Sequence, residues 1–64
     1  MNDLIVRNHG SIFILVAVTP AGEEWIGDHI PEDAMRFGGG IVVEHRFISN
    51  IVNGAVEDGL TVGD

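Results

Sequence analysis

The sequence predicts a small α+β domain, in which three or four strands form a sheet and two helices pack on one of its faces. Three observations support this prediction: short β-branched runs, two segments with apolar residues at helical spacing, and a length of 64 residues, which leaves room for one core. The predicted order is ββαβα, or ββαβαβ if the last apolar residues add a strand. Residues 1–64 are therefore treated as a single domain.

The first two strands are predicted to form a hairpin. Leu4–Val6 and Ile12–Val18 are rich in β-branched and apolar residues, which favour strands. Asn8 and Gly10 lie between them and tolerate the positive φ angles that tight turns demand. His9 is therefore expected at the tip of the hairpin.

The first helix is predicted to begin at Thr19 and Pro20. Threonine is a favoured N-cap, and proline suits the first helical position because its missing N–H has no partner there. Apolar residues then recur at helical spacing as far as Ile30. Pro31 disfavours helical geometry at the residue before it, so the helix should end there.

The second half of the chain predicts a connection, a strand and a second helix. Residues 31–40 are the connection, and Ile41–Val43 is the strand. The second helix is expected from about Arg46, and Gly59 should end it in a left-handed conformation. Leu60–Val62 would form the additional strand; if it pairs beside Ile41–Val43, the crossover through the second helix should be right-handed.

The charge and composition exclude several partners. Ten acidic residues face three arginines and no lysine, giving a net charge of −7, so the basic surface that nucleic acid requires is missing. The N-terminal residues lack a signal-peptide pattern, and the longest apolar run is too short to cross a bilayer. We therefore expect a cytoplasmic protein that contacts neither nucleic acid nor membrane.

The longest strand is predicted to be apolar on both faces. Alternate residues of Ile12–Val18 point to opposite sides of the sheet, and none of them is charged. Two short helices can cover one face only, so the other should be covered by a second copy or by another protein. The side chains expected on this dimer face are Ile5, Phe13 and Leu15. The alternative is that residues 31–40 fold across it.

An acidic cluster in and after the first helix is a second candidate interaction surface. It holds half of the carboxylates, with an aromatic residue among them, a combination that protein interfaces often use. Its members are Glu23, Glu24, Trp25, Asp28, Glu32 and Asp33. The alternative is a solvated outer helix face with Trp25 buried on the inner one.

The sequence contains no pattern that predicts a catalytic, metal-binding or cofactor-binding site. Gly38–Gly40 precedes a strand, whereas phosphate-binding loops precede a helix, so the glycines are expected to form a turn or a close backbone contact. The histidines lack zinc-binding spacing, and cysteine is absent. We therefore expect no enzyme and no cofactor. The alternative is a small-molecule or metal site near His29, His45 and the Gly38–Gly40 turn.

Four stretches carry a resemblance that would cover most of the chain: His29–Ala34, Phe37–Gly39, Val42–Glu44 and Ala55–Leu60. They resemble small uncharacterised proteins encoded in bacterial and in phage or plasmid genomes. The resemblance implies no activity, cofactor or functional residues. The residues themselves predict a small acidic protein-interaction module, homodimeric, that acts by binding a larger protein, for example as a phage-type inhibitor or a mimic of nucleic acid.

Overall fold

The structure, a computed structural model, describes all residues from Met1 to Asp64 and confirms the α+β class. It contains one five-stranded sheet and two helices. The strands are β1 (Leu4–Asn8), β2 (Ile12–Ala17), β3 (Arg36–Phe37), β4 (Gly40–Glu44) and β5 (Val62–Gly63), and the helices are α1 (Pro20–His29) and α2 (His45–Glu57). The sheet has one strand more than the largest predicted number, because residues 36–37 of the connection form β3.

The strands lie in the order β3-β4-β2-β1-β5, and only the β1–β5 pair is parallel. The last strand does not pair beside Ile41–Val43, the position considered from the sequence. β4 already has β3 on one side and β2 on the other, and β5 instead pairs with β1 at the opposite edge of the sheet. The segment that contains α2 therefore connects β4 to β5 by crossing over β2 and β1.

The two helices begin and end close to the predicted positions. The Thr19 hydroxyl accepts a hydrogen bond from the Gly22 N–H at 3.2 Å, and α1 stops one residue before the extended Ile30. α2 begins at His45, one residue earlier than expected. Its end follows the prediction, because Gly59 has a φ of 91° and the Leu60 N–H donates to the Ala55 carbonyl at 3.0 Å. Neither helix has the length and apolar character needed to cross a bilayer.

The glycine triplet turns a corner, as the sequence predicts. Gly38 and Gly39 have φ angles of 58° and 81°, and two consecutive positive φ angles are typical of a two-residue hairpin loop. The loop joins β3 to β4. Gly40 serves a different purpose, because a Cβ atom at this position would collide with the Ile14 side chain of β2. The triplet therefore combines a tight turn with a close approach of two strands.

The core lies between the two helices and one face of the sheet. It contains buried side chains from β1, β2, β4 and both helices, namely Leu4, Leu15, Trp25, Ile26, Ile41, Val43 and Ala55. The opposite side of the sheet, which we call the open face, is reached by alternate residues of the strands and by the residue before β3. The open face consists of Ile5, Ile12, Ile14, Val16, Met35, Phe37 and Val42.

The predicted dimer face does not exist as one surface. Ile5 pairs with Val16 across the β1–β2 ladder and so lies on the open face. Leu15 pairs with Val6, one position along, and therefore lies on the helix-covered face, where it is 0% exposed. Phe13 shares the side of Leu15. The prediction grouped residues that lie on opposite faces of the sheet, because a shift of one residue along a strand moves a side chain to the other face.

Asp3 joins three elements at one end of the sheet. Its carboxylate accepts hydrogen bonds from the Thr19 hydroxyl at 2.7 Å and from the Thr61 N–H at 3.1 Å. It thereby links the start of β1 to the N-cap of α1 and to the residue before β5. The hydrogen bond from Thr19, with a smaller effect of Thr61, holds the pKa of the Asp3 carboxyl below its ordinary value.

This lowered pKa makes the contribution of Asp3 to stability dependent on pH. The stabilisation is fully present above the unfolded-state pKa of about 3.9 and is lost as the pH falls through the lower pKa of the folded chain. Urea unfolding of the Asp3→Asn variant should therefore differ from the parent chain more at about pH 7 than at about pH 3. Asp33→Asn is the matched control, and an Asp3→Asn difference that is equal at both pH values would contradict this assignment.

Two glycines of α1 should respond in opposite directions to alanine. A Cβ at Gly22 would collide with the Asp3 carbonyl oxygen, whereas a Cβ at Gly27 meets no atom within 4 Å. Alanine improves helix propensity by about 1 kcal/mol at either site. Gly27→Ala should therefore raise the free energy of unfolding by roughly 0.5–1 kcal/mol, and Gly22→Ala should lower it by about 1–3 kcal/mol. Urea unfolding measures both, and a Gly22→Ala variant as stable as Gly27→Ala would refute the close approach.

Candidate functional site

The open face is an apolar surface that neither helix covers. Met35 and Phe37 of its outer edge are 71% and 60% exposed, and most of its other side chains are half-buried. Val18 continues the alternation of β2 beyond Ala17 and adds a further exposed apolar side chain on the same side. Surface patches of this kind, when contiguous, mark sites of protein interaction.

One residue of the open face is nevertheless buried. Ile14 is only 2% exposed, although no helix lies over it. The rings of His9 and Phe37 come from diagonally opposite corners of the sheet and meet edge to face, with centroids 6.2 Å apart. Sheet twist can bring such corners together over one face. Met35 and Phe37 of the 31–40 connection thus lie on the open face, and both side chains stay mostly exposed.

Charge is distributed unevenly between the two sides of the sheet. On the open side, the strands carry Arg7, which pairs with Ile14, and Glu44, which pairs with Ile12 at the border. Glu44 also lies 3.6 Å from the Arg46 guanidinium. The carboxylates of α1 lie on the helix-covered side of the sheet and are exposed; they are Glu23, Glu24 and Asp28. The open face is thus the less acidic of the two.

Trp25 is not a surface anchor of the acidic cluster. It is 7% exposed and belongs to the core, and its indole N–H donates to Asp58 Oδ2 at 2.8 Å. The alternative interpretation, with Trp25 on the inner side of the helix, describes its position. The carboxylates of the cluster are all exposed, in α1 and in the residues that follow it: Glu23, Glu24, Asp28, Glu32 and Asp33.

Trp25 is part of a contact that joins the C-terminal ends of α1 and α2. The His29 ring stacks on the indole with centroids 4.3 Å apart and an angle of 16° between the planes. Its Nδ1 lies 2.9 Å from the Trp25 carbonyl, which can only accept, so Nδ1 carries a proton. Its Nε2 lies 3.5 Å from Asp58 Oδ2. One carboxylate thus faces both rings, and no periodicity in the sequence predicts this contact.

The site predicted near His29, His45 and the glycine turn is not assembled. His45 lies at the other end of α2 from Asp58, a separation of roughly 20 Å along the helix. Its Nε2 is 2.8 Å from the Gly10 carbonyl, and its ring lies against Phe13, with centroids 4.6 Å apart. No three histidine, aspartate or glutamate side chains are grouped so that they could hold a metal ion. The two histidines instead hold the ends of α2 in place.

A pocket of about 240 Å³ lies between α1 and the β3–β4 hairpin. Its apolar wall includes Ile26 and Ile41, and Glu23 and Arg36 also line it. We call it the hairpin pocket. The sequence does not predict this pocket, because β3, which brings Arg36 beside Ile41, was expected to be part of a connection. Of the alternative site, only the glycine turn contributes to this pocket.

Comparisons with known proteins found no matching protein-family model, no similar curated protein and no similar solved structure. The resemblance to small bacterial and phage or plasmid proteins therefore stays a prediction. The candidate surfaces are interpreted below from their geometry and chemistry alone.

The contact of Trp25 with Asp58 predicts a specific loss of stability. Asp58→Ala removes the acceptor of the part-buried indole N–H, which should lower the free energy of unfolding by about 1 kcal/mol, because water can reach the half-exposed site. Fluorescence of Trp25, the only tryptophan, reports the change directly. Glu57→Ala removes a neighbouring carboxylate that has no contact with the indole. If both variants lose the same stability with identical emission spectra, the contact is unimportant.

Proposed function

We propose that this protein is a small acidic interaction module, which forms a homodimer through its open face and presents the acidic side of α1 to a larger protein. The observation that carries the proposal is the presence of exposed Met35 and Phe37 at the edge of an apolar sheet face that no helix covers. A chain of 64 residues buries too little surface to be more than marginally stable, and oligomerisation is one way in which small folds gain support.

The charge distribution supports a second copy as the occupant of the open face. Each chain carries a net charge of −7, so two copies repel each other in most orientations. An arrangement with the open faces together places the two α1 helices on the outside, far from each other. It also brings each Arg7 toward the other chain. This is therefore the approach in which the like charges of α1 oppose association least.

The apolar contribution is large enough to matter. Full burial of a phenylalanine or methionine side chain contributes roughly 1.5–3 kcal/mol relative to exposure in water. In a two-fold symmetric dimer each residue of the interface is counted twice, and Met35 and Phe37 begin from the highly exposed state. Association opposes this gain with about 4–15 kcal/mol of lost translational and rotational freedom. The gain and the cost are of similar size, so the proposed dimer depends strongly on these two residues.

The outer surface of such a dimer is suited to a basic protein partner. Dimerisation through the open face leaves the α1 carboxylates Glu23, Glu24 and Asp28 in solvent. A surface of this sign attracts the positively charged regions of proteins that handle nucleic acid, which is the basis for an inhibitor or a nucleic-acid mimic. Binding that depends on this attraction weakens as the salt concentration rises.

Substitution of two exposed phenylalanines tests the dimer. Phe37→Glu places a charge in the proposed interface, so it should convert a concentration-dependent dimer into a monomer at high micromolar concentration. Phe47→Glu is the matched control, because Phe47 is 48% exposed on α2, away from the open face, with the Arg46 guanidinium 4.9 Å from its ring. Sedimentation equilibrium distinguishes the two states. A parent chain that stays monomeric, or equal effects of both variants, would rule out the open face as the interface.

A further inference from the structure

We propose that pH controls how firmly the C-terminal ends of α1 and α2 are held together, and that protonation of His29 is the controlling step. His29 is the last residue of α1, and Asp58 caps the end of α2. The His29 ring contacts both the Trp25 indole and the Asp58 carboxylate, and we call these three residues the helix-end contact. The open face lies on the other side of the sheet, so the proposal does not depend on dimerisation.

Both ring nitrogens of His29 face oxygen atoms that can only accept a hydrogen bond. Nδ1 lies 2.9 Å from the Trp25 carbonyl, and Nε2 lies 3.5 Å from Oδ2 of the Asp58 carboxylate. A neutral imidazole carries one proton, so either tautomer leaves one nitrogen with its lone pair directed at an oxygen. The imidazolium carries two protons and directs an N–H at each oxygen. The geometry therefore suits the charged ring better than either neutral form.

The surroundings of the ring also favour a positive charge. The C-terminal end of a helix carries a partial negative charge, and the His29 ring lies at the end of α1 and beside the end of α2. The arginine of α2, Arg46, lies near the start of that helix, roughly 18 Å from Asp58 along its axis. Asp58 has no ion-pair partner other than His29. The other charged residues close to the contact in the sequence are all acidic: Asp28, Glu32, Asp33 and Glu57.

The indole adds to this preference. The Trp25 and His29 rings are nearly parallel, with an angle of 16° between their planes and centroids 4.3 Å apart. A cation over the face of a tryptophan is attracted by the electrons of the ring. The indole N–H donates to the same Asp58 Oδ2 at 2.8 Å, which holds the carboxylate in position. A proton on His29 therefore strengthens its contacts with both other members of the helix-end contact.

The charge that the contact favours fixes the direction of its pH dependence. At about pH 5.5 histidine side chains are largely charged and carboxylates are ionised, whereas at about pH 8 histidine is neutral. The stabilisation from the charged ring is therefore present at the lower pH and is lost as the pH rises. The side chains of His29 and Asp58 are 46% and 50% exposed, so water reduces the effect. We expect a change of about 3- to 10-fold in the equilibrium constant of unfolding.

Urea unfolding of the parent chain and of the His29→Gln variant, at about pH 5.5 and at about pH 8, tests the proposal. The parent chain should be the more stable of the two at the lower pH, and its advantage should shrink by about 3- to 10-fold in equilibrium constant at the higher pH. His45→Gln is the matched control. His45 Nε2 faces one acceptor, the Gly10 carbonyl, which a neutral ring satisfies, and the start of α2 disfavours a positive charge. The effect of His45→Gln should therefore not grow on acidification, and an effect of His29→Gln that is equal at both pH values would overturn the proposal.

Two further measurements assign the effect to the helix-end contact. Asp58→Asn keeps an acceptor for the indole N–H but removes the negative charge, so in this background the pH-dependent part of the His29→Gln effect should become smaller. In ¹H–¹⁵N spectra of the parent chain, the Trp25 indole signal should move between about pH 5.5 and about pH 8, and it should stay in place in His29→Gln. An indole signal that ignores pH in the parent chain, or a pH-dependent part that Asp58→Asn leaves unchanged, would contradict the proposal.

Discussion

The alternation of side chains along β2 is the constraint on which the structure depends. Every second residue of a strand faces the same side of the sheet, and β2 carries apolar residues on both sides. The helices cover one side, where Leu15 is buried in the core. No helix covers the other side of the sheet. The chain partly solves this problem at Ile14, where twist brings His9 and Phe37 together, and it leaves the rest of the open face exposed.

The same constraint separates the chemistry of the two sides. Acidic residues collect on the outer surface of α1, while the open face carries little charge and much apolar surface. These are the two surfaces on which the proposed dimer and the proposed contact with a basic partner depend. The His29–Asp58 and His45–Gly10 contacts position α2 from its two ends, which places both histidines in structural roles. The hairpin pocket is lined by Glu23 and Arg36, neither of which takes part in an ion pair.

The ends of the helices were predicted well, because they depend on residues that are neighbours in the sequence. Thr19 with Pro20, the residue before Pro31, and Gly59 define helix ends through capping and backbone preference, and the structure agrees within a residue. What depends on distant pairing was harder to predict. Two residues are too few for β3 to show a period, and the position of β5 depends on which edge is left free. Leu15 was grouped with Ile5 although the two lie on opposite faces, because the hairpin register decides which residues of β2 share a face with a given residue of β1.

The position of Trp25 was also hard to predict from the sequence. The aromatic residue among acids predicted an exposed anchor, but helical periodicity also allowed Trp25 on the inner stripe, and packing against α2 places it there.

The most direct test of the account is an isotope-filtered NOE measurement on a mixture of labelled and unlabelled chains. It should give contacts between chains from the Met35 methyl group and the Phe37 ring to Val16 and Val42. Intermolecular contacts from Phe47 and Val56 of α2 instead, or none at high concentration, would contradict the claim that the open face is an interface.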